Sequence, residues 1–327
     1  MTKCKTEVDL RKLSSLKIGG IAGVVYYPQT IDELAKLVAK LRGSQQAFYV
    51  IGRGSNIIFS SERLETPLIC TTKLNRCGFA DSNSEDAGIF KERIGQLWTD
   101  SPEYKLLYAE CGALNSRLIK LTLEAGVGDI TRLAGVPGTF GGALAMNAEG
   151  IMDCMKANMW IAEVNKESAQ IAVRSSDDYS YRYRYCSIQE TIAGSALLRL
   201  YPADAKEMKA RLREILARRK KTQPLELPSP GCAFKNPKGE HAGRLLDLAG
   251  MKGFRYGDIA FSEKHANFIV NFGNATSYDA LKLMAIGKET VYKKFGIWLV
   301  PEVKFIGKFD EELLRFVRDV GDEEDVN

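Results

Sequence analysis

Between Ala134 and Gly150 the chain reads AGVPGTFGGALAMNAEG, with glycine at 135, 138, 141, 142 and 150 and proline at 137. No other stretch narrows the fold as much. Glycine loses more backbone freedom on ordering than any other residue, so this density is tolerated most readily where a backbone must approach something closely. Pro137 fixes one turn, and Thr139 and Asn147 add polar groups. The segment reads as a loop shaped around a large group, and the alternative is a buried loop packed against another backbone.

A second glycine turn lies upstream in AFYVIGRGSNIIFS, where Gly52, Arg53, Gly54, Ser55 and Asn56 separate two strand-like runs. A dinucleotide fingerprint must open a long amphipathic helix, whereas NIIFS and the following SERLETPLIC read as more strand, so a Rossmann loop is rejected. A strand, turn, strand arrangement still points several N–H groups one way, which suits phosphate, although a plain turn has the same pattern. Two such segments together suggest a phosphate-bearing cofactor held between two lobes.

The rest of the chain reads as scaffold. Thr30 and Glu33 stand in capping-box register at the head of a helix to Gly43, and Leu114, Leu118, Leu121 and Leu123 mark another that stops at Gly126. Asn75 to Tyr104 is polar and patternless and reads as an exposed insertion without chemistry. The helix AKEMKARLREILARRKKTQP connects to a second domain with a helix GRLLDLAG, a strand HANFIVNFG, a helix capped by Thr276 and Asp279, and a strand IWLVPEVKFIG. The end, DVGDEEDVN, reads as a frayed acidic tail.

Composition excludes several classes. Seven cysteines without a C-x-x-C pair suggest neither a disulfide framework nor a zinc site, so no metal is expected and a reducing cytoplasm is favoured. A net charge of +5 is mild for a nucleic-acid binder. No apolar core of a signal peptide and no run near the roughly 18 apolar residues of a membrane span is visible, so a soluble protein without membrane partners is expected.

Three features carry possible chemistry. Cys232 follows Pro228, Pro230 and Gly231, an unusual place for an inert thiol, although burial is the default for a free cysteine. With a reference pKa of about 8.5, a thiol is better equipped at neutral pH to give a proton than to attack. His241 and His265 permit a Cys–His pair, but SEKHANF reads as a structural turn into a strand. Arg182 and Arg184 alternate with Tyr179, Tyr181, Tyr183 and Tyr185; as one strand this puts the tyrosines on one face and the arginines on the other, where a guanidinium meets a carboxylate or solvent. Glu302, in an otherwise apolar run, reads either as a half-buried hydrogen-bond donor or as an edge residue. Arg218, Lys221 and Gln223 end the connecting helix, where cations favour the dipole and also suit a diphosphate.

The motifs GRGSNIIFS, AGVPGTFGGALAMNAEG, YSYRYR, QPLELPSPGCAFKNP, AGRLLDLAGMKG, SEKHANFIVN and VPEVKFIG occur in this order from Leu16 to Gly307. In these the chain resembles the UDP-N-acetylenolpyruvoylglucosamine reductases (MurB), in the shorter type II form. The resemblance implies an α+β fold: a two-lobed FAD-binding PCMH-type module over residues 1–203, a smaller α+β substrate-binding domain over 204–310 and the acidic tail over 311–327. It places the proton donor, usually serine, on Cys232, the motif arginine on Arg182 and the C-terminal glutamate on Glu302. FAD would lie on the two glycine segments. Substrate contacts fall on Asn236, with Arg218, Lys221, Gln223 and Arg184 as further candidates; Arg184 stands where serine is usual. NADPH would reduce FAD, UDP-N-acetylglucosamine enolpyruvate would take the hydride, and a monomer is expected. Another PCMH-type flavin oxidoreductase, such as an alcohol or sugar oxidase, or a non-catalytic flavin-binding protein would share the loops without requiring Cys232, Arg182 and Glu302 together.

Overall fold

The computed structural model describes residues 2–81, 84–95 and 101–319. Parts of the expected insertion (82–83 and 96–100) and most of the expected acidic tail (320–327) lie outside the described residues. The chain forms two compact units, and neither follows a single cut. One contains Tyr26–Gly52 and Leu68–Ala217; the other contains Lys5–Val25, Arg53–Pro67 and the chain from Arg218 onward. Sequence reading divides the chain once, near residue 203, because the pairings that draw the early segments into the second unit join residues far apart in the chain.

The first unit is built on a five-stranded antiparallel sheet in the order Cys77–Ala80, Lys105–Glu110, Thr191–Leu200, Met159–Asn165 and Ile171–Ser175. Alternation along these strands buries both faces. Leu107, Ala109, Met159, Ile161, Ala196 and Leu198 face a helical core with Leu118, Phe140 and Leu144. Leu106, Tyr108, Trp160, Ala162 and Leu197 face the opposite way and are covered by Phe90 and Ile94. The segment expected as an exposed insertion therefore closes a sheet face. Phe90 is 0% exposed, a burial worth about 1.5–3 kcal/mol. The helix Ile31–Gly43 packs Leu34, Leu37, Val38 and Leu41 beside the parallel pair Tyr49–Ile51 and Leu68–Cys70. In the helix Asn115–Ala125 the buried face is Asn115, Leu118, Ile119 and Thr122, while Leu114 is the residue before the first turn.

The second unit has a three-stranded antiparallel sheet, Arg255–Tyr256, Ile259–Phe261 and Ile269–Asn271, packed with the helices Ala242–Leu248 and Ser277–Phe295. Thr276 and Asp279 form the expected reciprocal cap, and Gly296 ends that helix in the left-handed region at φ 69°. Ile57–Phe59 pairs in parallel with Lys304–Ile306, which carries the early segment into this unit. The expected strand IWLVPEVKFIG is regular only over Lys304–Ile306, because Pro301 lacks an N–H and joins by an isolated bridge to Phe234. The segment expected as a tail starts with a helix, Glu311–Arg318, whose apolar face sends Val317 into the core. No helix among the described residues is long and apolar enough to cross a membrane.

Candidate functional site

In the first unit the loop before the helix Phe140–Ala145 exposes Gly135 and Pro137, with Gly135 and Gly138 at φ 71° and 118°. The loop is held from beneath. Asn115 Nδ2 donates to the Val136 carbonyl at 3.3 Å, the Phe140 amide to Ala113 at 2.8 Å and the Gly141 amide to Cys111 at 2.7 Å. Asn115 Oδ1 is buried and has no hydrogen-bond partner among the described residues. Sequence reading missed Asn115, since an asparagine at the head of an amphipathic helix gives no signal of its own. Thr139 caps the helix by accepting from the Gly142 amide at 3.4 Å.

The glycines serve different ends. A Cβ on Gly52 would lie 2.5 Å from Thr139 Oγ1, and one on Gly141 would lie 2.7 Å from Cys111 Cβ. Gly142 has ordinary room. In the second unit a Cβ on Gly54, at φ 64°, would lie 1.9 Å from the Leu13 carbonyl oxygen, so only glycine fits. At 52, 54 and 141 the close approach is to the chain itself, and the backbone left exposed is that of 135–138. Burial pushes the thiols of Cys70 and Cys111, behind these loops, above the ordinary value, so neither is primed to react.

Asn147, expected on the cofactor, is buried with its side chain spent internally. Its Oδ1 accepts from the Met152 amide at 3.0 Å, and its Nδ2 lies 3.2 Å from Asp153 Oδ2 and 3.4 Å from the Arg182 carbonyl. It braces the segment that carries the arginine. That segment is a hairpin and not the continuous strand expected: Tyr181 pairs with Cys186, Arg182 pairs with Tyr185, and Tyr183 and Arg184 form the turn with Arg184 at φ 57°. The arginines therefore do not share one face against four tyrosines. Arg182 is exposed and stacks 4.3 Å over the Tyr185 ring, while Arg184 lies 5.1 Å from the Tyr183 ring.

The second unit brings Cys232 and Glu302 onto adjoining backbone. Cys232 is half-buried and bridges Phe268. The Glu302 amide donates to the Ala233 carbonyl at 2.8 Å and the Lys235 amide to Val300 at 2.8 Å. Asn56 holds the same segment, donating from Nδ2 to the Glu302 carbonyl at 3.2 Å and accepting from the Lys304 amide at 2.9 Å. Asn56, expected on the cofactor, thus fixes Glu302. Buried Asn267 acts as a surrogate strand: its Oδ1 accepts from the Phe234 amide at 2.9 Å, its Nδ2 donates to the Phe234 carbonyl at 2.7 Å, and its own carbonyl accepts from Ala233 at 2.7 Å. Sequence reading passed over Asn267 because its partner lies on a distant loop.

His265 sits in a turn. Its Nδ1 accepts from the Asn267 amide at 3.2 Å, and burial holds its pKa below the usual range. The ring is a neutral structural element, which disfavours a Cys–His pair. Asn236 Oδ1 accepts from the Ala242 amide at 3.1 Å at the head of the helix Ala242–Leu248. Arg53, Arg218 and Lys221 are exposed, and Gln223 is half-buried. Arg182 belongs to the first unit, with the 135–138 loop; Cys232, Glu302 and Asn236 belong to the second. Among the described residues no group of three His, Cys, Asp or Glu side chains is placed to hold a metal.

Residues 223–306 match the family model described as UDP-N-acetylenolpyruvoylglucosamine reductase, C-terminal domain. The chain is 34% identical over 301 residues to the UDP-N-acetylenolpyruvoylglucosamine reductase of Caldanaerobacter subterraneus subsp. tengcongensis, spanning 91% of this chain and 92% of that protein. The reductase of the same name from Caldicellulosiruptor saccharolyticus is 34% identical over 308 residues, spanning 93% and 92%. Among solved structures, UDP-N-acetylenolpyruvylglucosamine reductase (MurB) from Thermus caldophilus is similar with a TM-score of 0.71 and 26% identity, covering 94% of this chain and 99% of that one. Fold and relatives together define an α+β oxidoreductase. The chain belongs to the UDP-N-acetylenolpyruvoylglucosamine reductase family.

Proposed function

We propose that this protein reduces UDP-N-acetylglucosamine enolpyruvate to UDP-N-acetylmuramate with FAD as cofactor and NADPH as the electron source. The observation that carries the reading is the placement of a half-buried thiol, Cys232, on backbone joined directly to that of Glu302. A flavin nucleotide suits the partly exposed loop Gly135–Gly138, which Asn115 anchors from beneath. When bound, FAD supplies the hydride for the β-carbon of the enolpyruvyl group.

The chain's own residues handle charge and proton. Negative charge develops on the substrate α-carbon and its carboxylate. In the second unit a hydrogen bond from the Glu302 carboxyl suits this charge, and in the first the Arg182 guanidinium is the cation suited to a carboxylate. Cys232 gives its proton to the α-carbon, completing the lactyl ether, and recovers one from solvent. The network of Asn267, Asn56 and Ala233 keeps Cys232 and Glu302 in register, which is what proton transfer over a single hydrogen-bond length requires. Arg218, Lys221 and the exposed Arg53 supply cationic groups suited to diphosphate.

The test is anaerobic. Purified protein should carry bound flavin, lose its absorbance with NADPH and regain it on addition of UDP-N-acetylglucosamine enolpyruvate. Protein that stays reduced until oxygen is admitted, or whose oxidised flavin is reduced by an alcohol, overturns the substrate assignment; protein that takes up no FAD overturns the reading altogether.

A further inference from the structure

The Arg182 side chain is exposed and makes no hydrogen bond or ion pair among the described residues. A long side chain with that freedom samples many rotamers, and holding it for a ligand costs entropy. Yet its guanidinium lies over one ring, that of Tyr185, at 4.3 Å from the centroid. The hairpin makes this pairing unavoidable: with Tyr183 and Arg184 in the turn, Arg182 and Tyr185 stand directly opposite each other on one face. The ring is anchored at its far end, where the Tyr185 hydroxyl donates to Glu190 Oε1 at 3.1 Å. That bond also pushes the phenol above its ordinary value and keeps it protonated as the donor. Glu190 in turn closes the short helix Ser187–Glu190, immediately before the strand Thr191–Leu200 of the main sheet. From behind, Asn147 Nδ2 approaches the Arg182 carbonyl at 3.4 Å.

Stacking constrains the plane of a guanidinium and leaves its edges open. Carboxylate recognition uses those edges, through two parallel N–H bonds in the guanidinium plane. A stacked arginine with unspent donors is therefore set up for an in-plane carboxylate. We propose that Tyr185 is a positioning residue: anchored by Glu190, it holds Arg182 flat so that the guanidinium edge meets the carboxylate of the enolpyruvyl group. This inference rests on the substrate assigned above.

The experiment is a double-mutant cycle on the full-length flavoprotein, reading kcat/KM and substrate binding by the flavin absorbance change. Tyr185→Leu removes the ring from a half-buried hairpin position and is expected to lower kcat/KM by about two- to fivefold, the range for a weakly desolvated cation–π contact. Tyr185→Phe keeps the stack and is expected to restore most of that loss. In an Arg182→Gln background, Tyr185→Leu is expected to change substrate binding by less than about 1.5-fold, since a residue acting through another has nothing left to act on. Equal effects of Tyr185→Leu in both backgrounds, or no effect in the parent, overturn the inference. A second readout is independent of turnover: Arg182 side-chain resonances in selectively labelled protein should be ring-current shifted and lose that shift in Tyr185→Leu. Their absence in the parent refutes the stack itself. Failure of the unaltered protein to turn over the substrate overturns the functional reading and this inference together, which distinguishes it from turnover with an additive cycle.

Discussion

Substituting Gly52 by alanine tests whether the first glycine turn is shaped by the second glycine segment. The added Cβ would lie 2.5 Å from Thr139 Oγ1, 3.5 Å from its Cγ2 and 3.6 Å from its Cβ, so one atom carries the clash. Thr139 is 2% exposed and its hydroxyl accepts from the Gly142 amide, which leaves two ways to relieve the contact. Turning the side chain gives up the helix cap, worth about 1 kcal/mol. Shifting the backbone is overpacking, at about 1–3 kcal/mol. Gly52→Ala should therefore cost about 1–3 kcal/mol in urea unfolding, whichever way the contact is relieved, and reduce the flavin retained on purification. In a Thr139→Ala background Oγ1 and Cγ2 are gone and the remaining 3.6 Å contact is ordinary, so the same substitution should cost less than about 1 kcal/mol. A Gly52→Ala variant within about 0.5 kcal/mol of the parent, or one equally destabilised in both backgrounds, refutes the steric reasoning.

Other consequences follow from the second unit. Asn267→Ala strips a buried donor and a buried acceptor from Phe234, itself 0% exposed, and should cost about 2–5 kcal/mol in chemical denaturation while slowing reoxidation of the flavin by substrate; a loss under about 0.5 kcal/mol contradicts the surrogate-strand role. Lys288 is 0% exposed, donates to the carbonyls of Val317 and Asp319, and has its pKa pushed down to about 8 by burial. The unfolded chain holds that proton up to about 10.4, so stability from this group is complete above that value and is lost as pH falls towards about 8. Unfolding free energy should rise across that window by at most about 3 kcal/mol, and Lys288→Met should flatten the rise; an unchanged slope places the proton elsewhere.

Sequence pattern exposed what depends on local chemistry. The reciprocal cap of Thr276 and Asp279, the left-handed stop at Gly296 and the turn at His265 are each decided within a few residues. What escaped it depends on partners. Alternation in YSYRYRYCS fits a strand, but a two-residue turn reverses its phase, so the face shared by Arg182 and Tyr185 is invisible until Arg184 is seen at positive φ. Phe90 and Ile94 are two apolar residues in a polar tract, and nothing local marks the sheet face they cover. The glycines at 52 and 54 announce close approach without saying to what; the neighbours are Thr139 and Leu13. Cys232, Arg182 and Glu302 stood out as unusual residues in unusual places, whereas Asn115 and Asn267 acquire meaning only from the loops they hold.

The most direct test of the account is Cys232→Ala assayed as two separate anaerobic half-reactions. If Cys232 supplies the proton, reduction of bound flavin by NADPH stays within about threefold of the parent, while reoxidation by UDP-N-acetylglucosamine enolpyruvate falls by about 100-fold or more, the scale of a lost general acid. Cys232→Ser should recover much of that step. Equal loss in both half-reactions, or reoxidation that survives the substitution, contradicts the role assigned to the thiol.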